Sequence, residues 1–258
     1  MLGLSESAMN MVPASECIDK ESMCFHPELN KFVSYPVLIG GHVGYLVVIW
    51  LLKTIMAGRK NPIEPKLIMY IYNPVQVIFS TLQVIGLAPF LLNGVFNLDG
   101  HFCARIEFWI FFHYCTKFLD MLDSVFMCLR KKSDQLSFLH VYHHLTIGLI
   151  WGLLLHHGIG NGAAFFGAWI NSLVHALMYF HYFWTSMGFK NPFKKFLTLF
   201  QMFQFGLCIL QAILVLPFDK QIPVKWAVLQ LCYHCTLLYL FNNFFKKDRK
   251  KEKKAVKQ

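Results

Sequence analysis

The chain has 258 residues, 56% of them apolar, 16% aromatic and only 15% charged, with a formal net charge of +10. It is far more apolar than a soluble domain, and its basic residues stand at the ends of apolar runs rather than along one face. That pattern excludes an ordinary soluble enzyme, argues against a nucleic-acid partner and reads as one polytopic membrane domain. Residues 1–35 are mildly acidic and lack a basic stretch followed by an apolar core, so no cleaved signal peptide is expected.

Taken in chain order with windows of about 19 residues, the sequence gives seven apolar segments near the ~20 residues that cross a bilayer. They lie at about 36–57, 67–92, 107–129, 136–155, 163–185, 196–217 and 225–245. The division is therefore an N-terminal segment at 1–35, a membrane domain at 36–245 and a basic tail at 246–258. Pro74 and Pro89 in the second segment predict a kink or a partly re-entrant end. The odd-numbered loops and the tail hold Arg59, Lys60, Lys66, Arg130, Lys131, Lys132, Lys190, Lys194, Lys195 and eight further cations after Phe245. The even-numbered loops hold only Arg105, Lys220 and Lys225. By the positive-inside rule the odd loops and the C-terminus are cytoplasmic, and seven spans put the N-terminus on the other side.

This orientation collects the intramembrane polar residues at mid-depth or in the cytoplasmic half. The second segment begins there with Tyr72, Asn73 and Gln76, and the third carries Lys117, Asp120 and Asp123. His140, His143 and His144 open the fourth; Asn171, His175, Tyr179, His181 and Tyr182 run down the fifth; Thr198, Gln201 and Gln204 start the sixth. A charge in lipid costs at least ~2.5 kcal/mol, so these groups are expected to face one another or a watery cavity. A structural pairing of Lys117 with Asp120 accounts for those two residues alone. A polar cavity open to the cytoplasm accounts for the histidines and glutamines as well.

In HVYHH (140–144) the three histidines share one broad helical face. Imidazoles so placed suit a metal, and also nucleophilic or general-base chemistry, since a neutral imidazole in a dry site attacks a thioester or takes a proton. A di-iron site needs further boxes on the same side of the bilayer. The only other adjacent pair, His156 and His157, falls in a loop on the opposite side, so the metal reading is the weaker one. His113, His156, His157 and His234 read as structural, and His26, His42 and His101 receive no role. The eight cysteines show no zinc or redox spacing apart from Cys232-x-x-Cys235 inside an apolar helix, and most read as small core residues.

Four stretches in order, KFLDMLDSVFMCLRKK (117–132), FLHVYHH (138–144), NSLVHALMYFHYF (171–183) and TLFQMFQF (198–205), resemble the fatty-acid elongase family. The weaker YNPVQVIFS (72–80) is similar too, and the resemblance covers roughly 59–245. It implies an all-α integral membrane protein of the endoplasmic reticulum, with seven transmembrane helices, six of them enclosing an acyl tunnel. It also implies condensation of an acyl-CoA with malonyl-CoA to 3-oxoacyl-CoA, carbon dioxide and CoA, with no cofactor and no metal. Two departures stand out. Asp120 and Ser124 replace a glutamate and a threonine of the family pattern, leaving the chemistry but changing its reach, and His181 replaces a tyrosine.

On this resemblance His143 is the nucleophile that forms an acyl-imidazole. His175 stabilises the enolate or oxyanion with Asn171 and Tyr179 as donors, and His140 and His144 orient the nucleophile. Lys117, Asp120, Asp123, Gln201 and Gln204 support the pocket. Arg130, Lys131, Lys132, Lys190, Lys194 and Lys195 either grip CoA phosphates or simply anchor the helices in the membrane. HVYHH preceded by Gln135 resembles members acting on polyunsaturated or longer chains, so C18–C20 polyunsaturated acyl-CoA is the expected substrate. Saturated or monounsaturated acyl-CoA is the alternative within the family. A di-iron desaturase or hydroxylase, a seven-helix receptor and a transporter are the alternatives outside it. The expected partners are the two CoA thioesters, membrane lipid, and the reductases and dehydratase of the elongation cycle; a homodimer stays open. Cys103 and Cys232 both fall near the non-cytoplasmic face, where a disulfide between them is conceivable.

Overall fold

A computed structural model describes residues 10–18, 22–98, 100–190, 194–219 and 222–255. Eight helices dominate it: α1 (Tyr35–Ala57), α2 (Lys66–Leu87), α3 (Ala104–Asp120), α4 (Leu122–Leu129), α5 (Phe138–His156), α6 (Ala164–Ser186), α7 (Lys194–Phe218) and α8 (Val224–Ala255). Every segment read as a span is helical, the third in two pieces. Among the described residues, five helical stretches are long and apolar enough to cross a membrane, namely Pro27–Ala57, Lys66–Leu92, Phe138–His156, Lys195–Phe218 and Val224–Lys247. The fifth and third spans fall outside that set for physical reasons. α6 carries Asn171, His175, Tyr179 and His181 along its length, and α3 has only 17 residues and holds Glu107, Lys117 and Asp120.

Two breaks follow from local chemistry. α2 tolerates Pro74 but stops at Leu87, and Pro89 then sits at the start of a 3-10 turn over Ala88–Asn93, where no N–H is required of it. The long second segment is thus a helix with a tightened end. α3 and α4 are separated at Met121, where the Ser124 N–H bonds the Met121 carbonyl at 3.2 Å, inside the KFLDMLDS stretch. At the other end of the chain there is no break at residue 245, because α8 continues through the basic run to Ala255.

Helix contacts run α2–α3–α5–α8–α7–α6 and back to α2, closing a ring of six, while α1 packs on α4 and α5. α3 also meets α6 across the ring, which leaves the open space to the half bounded by α5, α6, α7 and α8. The basic loops meet at one end. Ile63 N–H bonds the Leu129 carbonyl at 2.9 Å, Arg130 pairs with Glu64 at 3.0 Å, and Lys131 reaches the Arg59 carbonyl.

The N-terminal segment caps the opposite end. Two short strands, β1 (Val12–Pro13) and β2 (His101–Phe102), pair antiparallel. The Glu107 carboxylate, 1% exposed, accepts the backbone N–H groups of Cys24, Phe25 and His26, each at 2.9 Å. Asn161 clamps both backbone groups of Cys103 at 3.0 Å. Gly158 has φ +69°, and a Cβ there would stand 2.4 Å from the Cys17 carbonyl, so only glycine fits beneath the cap.

One cysteine expectation is corrected. Cys17 and Cys24 form the disulfide, seven residues apart within the cap. Cys103 and Cys232 are free: Cys103 is buried with its Sγ accepting from the Ile106 N–H at 3.5 Å, and Cys232 lies exposed on α8. The first pair lies close in sequence, whereas helix α3 uses Cys103 as its N-cap.

Candidate active site

The site is built around one carboxylate. Asp120, at the end of α3 and 2% exposed, receives Lys117 Nζ at 3.0 Å and Gln76 Nε2 at 2.7 Å. It also receives Tyr179 OH at 3.0 Å and lies 3.4 Å from His175 Nδ1. Lys117 and Asp120 are one turn apart on the same helix face, so their pairing is local, but Gln76, Tyr179 and His175 come from α2 and α6. Lys117 continues to Asn171 Oδ1 at 2.9 Å. Asp123, beyond the break at Met121, is also held by Tyr179 OH at 2.8 Å. Tyr72 OH stands 3.2 Å from Tyr179 OH and takes Gln76 Nε2 at 3.1 Å. Four helical segments therefore share one buried hydrogen-bond network, which satisfies charges that isolated helices could not carry in lipid.

The histidine motif forms the adjoining wall. Ser137 caps α5, its Oγ accepting from the His140 N–H at 3.3 Å. His140 Nε2 lies 2.9 Å from Ser124 Oγ, which in turn is 2.8 Å from Tyr45 OH. The rings of His140 and His144 are 4.3 Å apart, and those of His143 and His144 are 5.4 Å apart. His143 differs from the other two. It is the one motif histidine that lines the cavity between α5, α6, α7 and α8, together with Asn171 and Gln204. Its Nδ1 is sealed from solvent and has no hydrogen-bond partner among the described residues.

That cavity spans about 880 Å³ of empty space counting its open mouth. It continues past Ile147, Trp151, Leu154 and Gly167 to Ile159, Ile222 and Trp226 near the capped end. Its walls are mainly aliphatic and aromatic, which suits a long alkyl chain.

The proposed donors separate on this geometry. Asn171 reaches the cavity, with its Oδ1 held by Lys117 and its amide N–H groups left for a ligand. Tyr179 is 0% exposed and its hydroxyl faces Asp120 and Asp123, so it belongs to the carboxylate network rather than to the cavity wall. Gln204 lines the cavity; Gln201 bonds Met178 Sδ at 3.5 Å instead. Among the basic residues, Arg130 and Lys131 are committed to the neighbouring loop, while Lys132, Lys190 and Lys195 are exposed. The side chain of Lys194 and the residue Lys220 lie outside the described residues. Tyr45, Tyr72, Gln76 and Ser124 complete the network; Tyr72, Gln76 and Ser124 stand in the motif stretches, whereas nothing in the sequence singled out Tyr45. His234, read as structural, lines the cavity, and so do Gln211 and Gln230.

Residues 31–257 match the ELO family, described as the GNS1/SUR4 family. The chain belongs to that family. Among its relatives, "Fatty acid elongase 5" of Leishmania major is 61% identical over 249 residues, covering 96% of this chain and all of the relative. "Fatty acid elongase 4" of Trypanosoma brucei brucei is 54% identical over 94% of this chain and 96% of the relative. "Very long chain fatty acid elongase 5" of Mus musculus is 30% identical over 78% of this chain and 70% of the relative. The stretches that carry the sequence resemblance are the ones that converge here. The Lys117 to Ser124 stretch meets the HVYHH histidines through Ser124, and the 171–183 stretch through Asp120.

Proposed function

We propose that this ELO-family member is the condensing enzyme of fatty acid elongation, joining acyl-CoA, malonyl-CoA and a proton into 3-oxoacyl-CoA, carbon dioxide and CoA. The observation that carries the reading is the position of His143. It is the motif histidine on the wall of a long apolar cavity, beside Asn171 and Gln204.

In this reading His143 Nε2 attacks the thioester carbonyl and expels CoA, which takes the imidazole proton and leaves an acyl-imidazole. Malonyl-CoA then binds and loses carbon dioxide, and the enolate carbon attacks the acyl carbonyl and expels the His143 imidazole, which takes up the proton consumed in the overall reaction. The Asn171 amide is the donor to the developing negative charge; His175, whose Nδ1–H faces Asp120, has an acceptor Nε2 that must take up a proton before it can donate. His144 meets the ring of the nucleophile edge-on and His140 backs His144. Lys117, Asp120, Asp123 and Tyr179 hold these groups in place. Decarboxylation drives the bond formation, so the scheme uses no cofactor.

The relatives' names support fatty acyl substrates, and the HVYHH stretch supports C18–C20 polyunsaturated chains within that class. The acyl tail lies along the cavity toward Trp226, and CoA stays at the basic end, where Lys132, Lys190 and Lys195 are exposed. CoA thioesters are made in the cytosol, which places the basic end and the C-terminus there. The N-terminal cap is then in the lumen of the endoplasmic reticulum, where the Cys17–Cys24 disulfide is chemically at home. The product requires a reductase, a dehydratase and a second reductase to become a longer acyl-CoA. The test is release of CoA from acyl-CoA alone by purified protein. Wild type releases one equivalent, and His143→Ala releases none; retained release in that variant rejects His143 as nucleophile.

A further inference from the structure

The apolar cavity contains a polar step that chain extension does not need. Gln230 and His234 lie one turn apart on α8 and both line the cavity. Gln230 Nε2 is spent on the Cys208 carbonyl at 3.2 Å and on Gln211 Oε1 at 2.9 Å, and Gln211 Nε2 goes to the Ala163 carbonyl. His234 Nδ1 bonds the Gln230 backbone carbonyl at 2.8 Å; a carbonyl only accepts, so Nδ1 carries the proton and Nε2 is a lone pair. Gln230 Oε1 and His234 Nε2 are thus two acceptors. Neither has a hydrogen-bond partner among the described residues, and neither belongs to the sealed, unpartnered atoms. The nearby Tyr233 hydroxyl is already 3.1 Å from Thr146 Oγ1, so it does not supply the missing donor.

A plain alkyl chain drawn past these atoms strips their water and returns nothing, whereas an O–H group on the chain satisfies them. The depth is defined by two contacts between α5 and α8. Tyr233 meets Thr146, and the Trp226 ring is 5.3 Å from that of His157, so the two helices run antiparallel. At a rise of 1.5 Å per residue, His234 and Gln230 stand about 3 and about 9 Å along the axis from the level of His143, toward the capped end. We propose that Gln230 and His234 form a subsite for a hydroxyl group on the acyl chain, so that this protein elongates hydroxylated acyl-CoAs in preference to their plain counterparts. The subsite rests on the condensing reading above only for its turnover, not for its binding.

The experiment presents purified full-length protein with malonyl-CoA and an equimolar mixture of a plain acyl-CoA and acyl-CoAs of equal length hydroxylated at successive carbons. Extended products are resolved by mass spectrometry, so any overall loss of activity cancels in the product ratio. The hydroxylated product is expected to dominate for a restricted set of hydroxyl positions in the first half of the chain. Gln230→Leu and His234→Leu should each lower that ratio by about tenfold. A ratio near one in wild type at every position, as expected if the two acceptors hold only water, overturns the subsite. So does a ratio that both variants leave unchanged. A second arm uses displacement of a fluorescent fatty acid by hydroxylated and plain free acids, which reads the subsite without catalysis. If no acyl-CoA is extended, the condensing reading fails, and tighter displacement by the hydroxy acid, lost in the variants, still decides this one.

Discussion

Asp120 Oδ2 lies 3.4 Å from His175 Nδ1 while the same oxygen receives Lys117 Nζ at 3.0 Å. One buried carboxylate thus holds the His175 imidazole and neutralises a lysine that has no other anion beside it among the described ion pairs. The arrangement makes Asp120 a positioning residue whose loss acts on both chemistry and folding.

Asp120→Asn should therefore do two things. Activity should fall by more than about 100-fold, because His175 loses its tautomer-setting partner. Stability should fall by about 3–5 kcal/mol, because Lys117 stays buried without a counter-charge. Asp120→Glu, which restores the residue of the family pattern, should keep activity within about tenfold of wild type. Turnover and thermal unfolding of the detergent-solubilised variants check both effects, and a stable, fully active Asp120→Asn protein would sink the assignment.

Tyr179→Phe separates a network role from contact with substrate. Its hydroxyl serves Asp120 and Asp123 and does not reach the cavity wall. The expected result is a stability loss of about 1–3 kcal/mol from the carboxylates left short of a donor. If Tyr179 instead faces the reacting oxygen, turnover drops by about 10²–10³-fold with unfolding nearly unchanged. The two outcomes are distinguished by measuring both quantities on one preparation.

Glu107 is the peg of the N-terminal cap, since three backbone N–H groups end on it. Glu107→Ala leaves those donors unmet and should cost about 1–3 kcal/mol. Limited proteolysis should then cut residues 22–33 in the variant under conditions that leave the wild type intact. Equal cleavage of the two proteins would remove Glu107 from this role.

The disulfide gives a direct chemical check. Peptide mapping without reductant should recover Cys17 and Cys24 as one linked species and Cys232 as an alkylated free thiol. Substituting both bonded cysteines by serine should lower stability by about 2 kcal/mol, as expected for a closed loop this short. A Cys103–Cys232 cross-link in the same map would contradict the structure.

Much of this protein was legible in the chain itself. Runs of apolar residues punctuated by Arg59, Arg130 and Lys195 defined where the helices run, because the cost of charge in lipid allows few other patterns. Spacing put His140, His143 and His144 on one face and paired Lys117 with Asp120, since both relations lie within a turn of helix. What sequence could not decide was which members of a polar cluster face outward into the cavity. His143 and Asn171 do, whereas Tyr179 and Gln201 turn into other contacts, and His234 lines the wall although it read as structural. Those choices depend on the rotation and tilt of neighbouring helices, as do the cap on Glu107 and the pairing of Cys17 with Cys24. Local periodicity fixes which residues share a helix face; only the packing of the ring decides what that face meets.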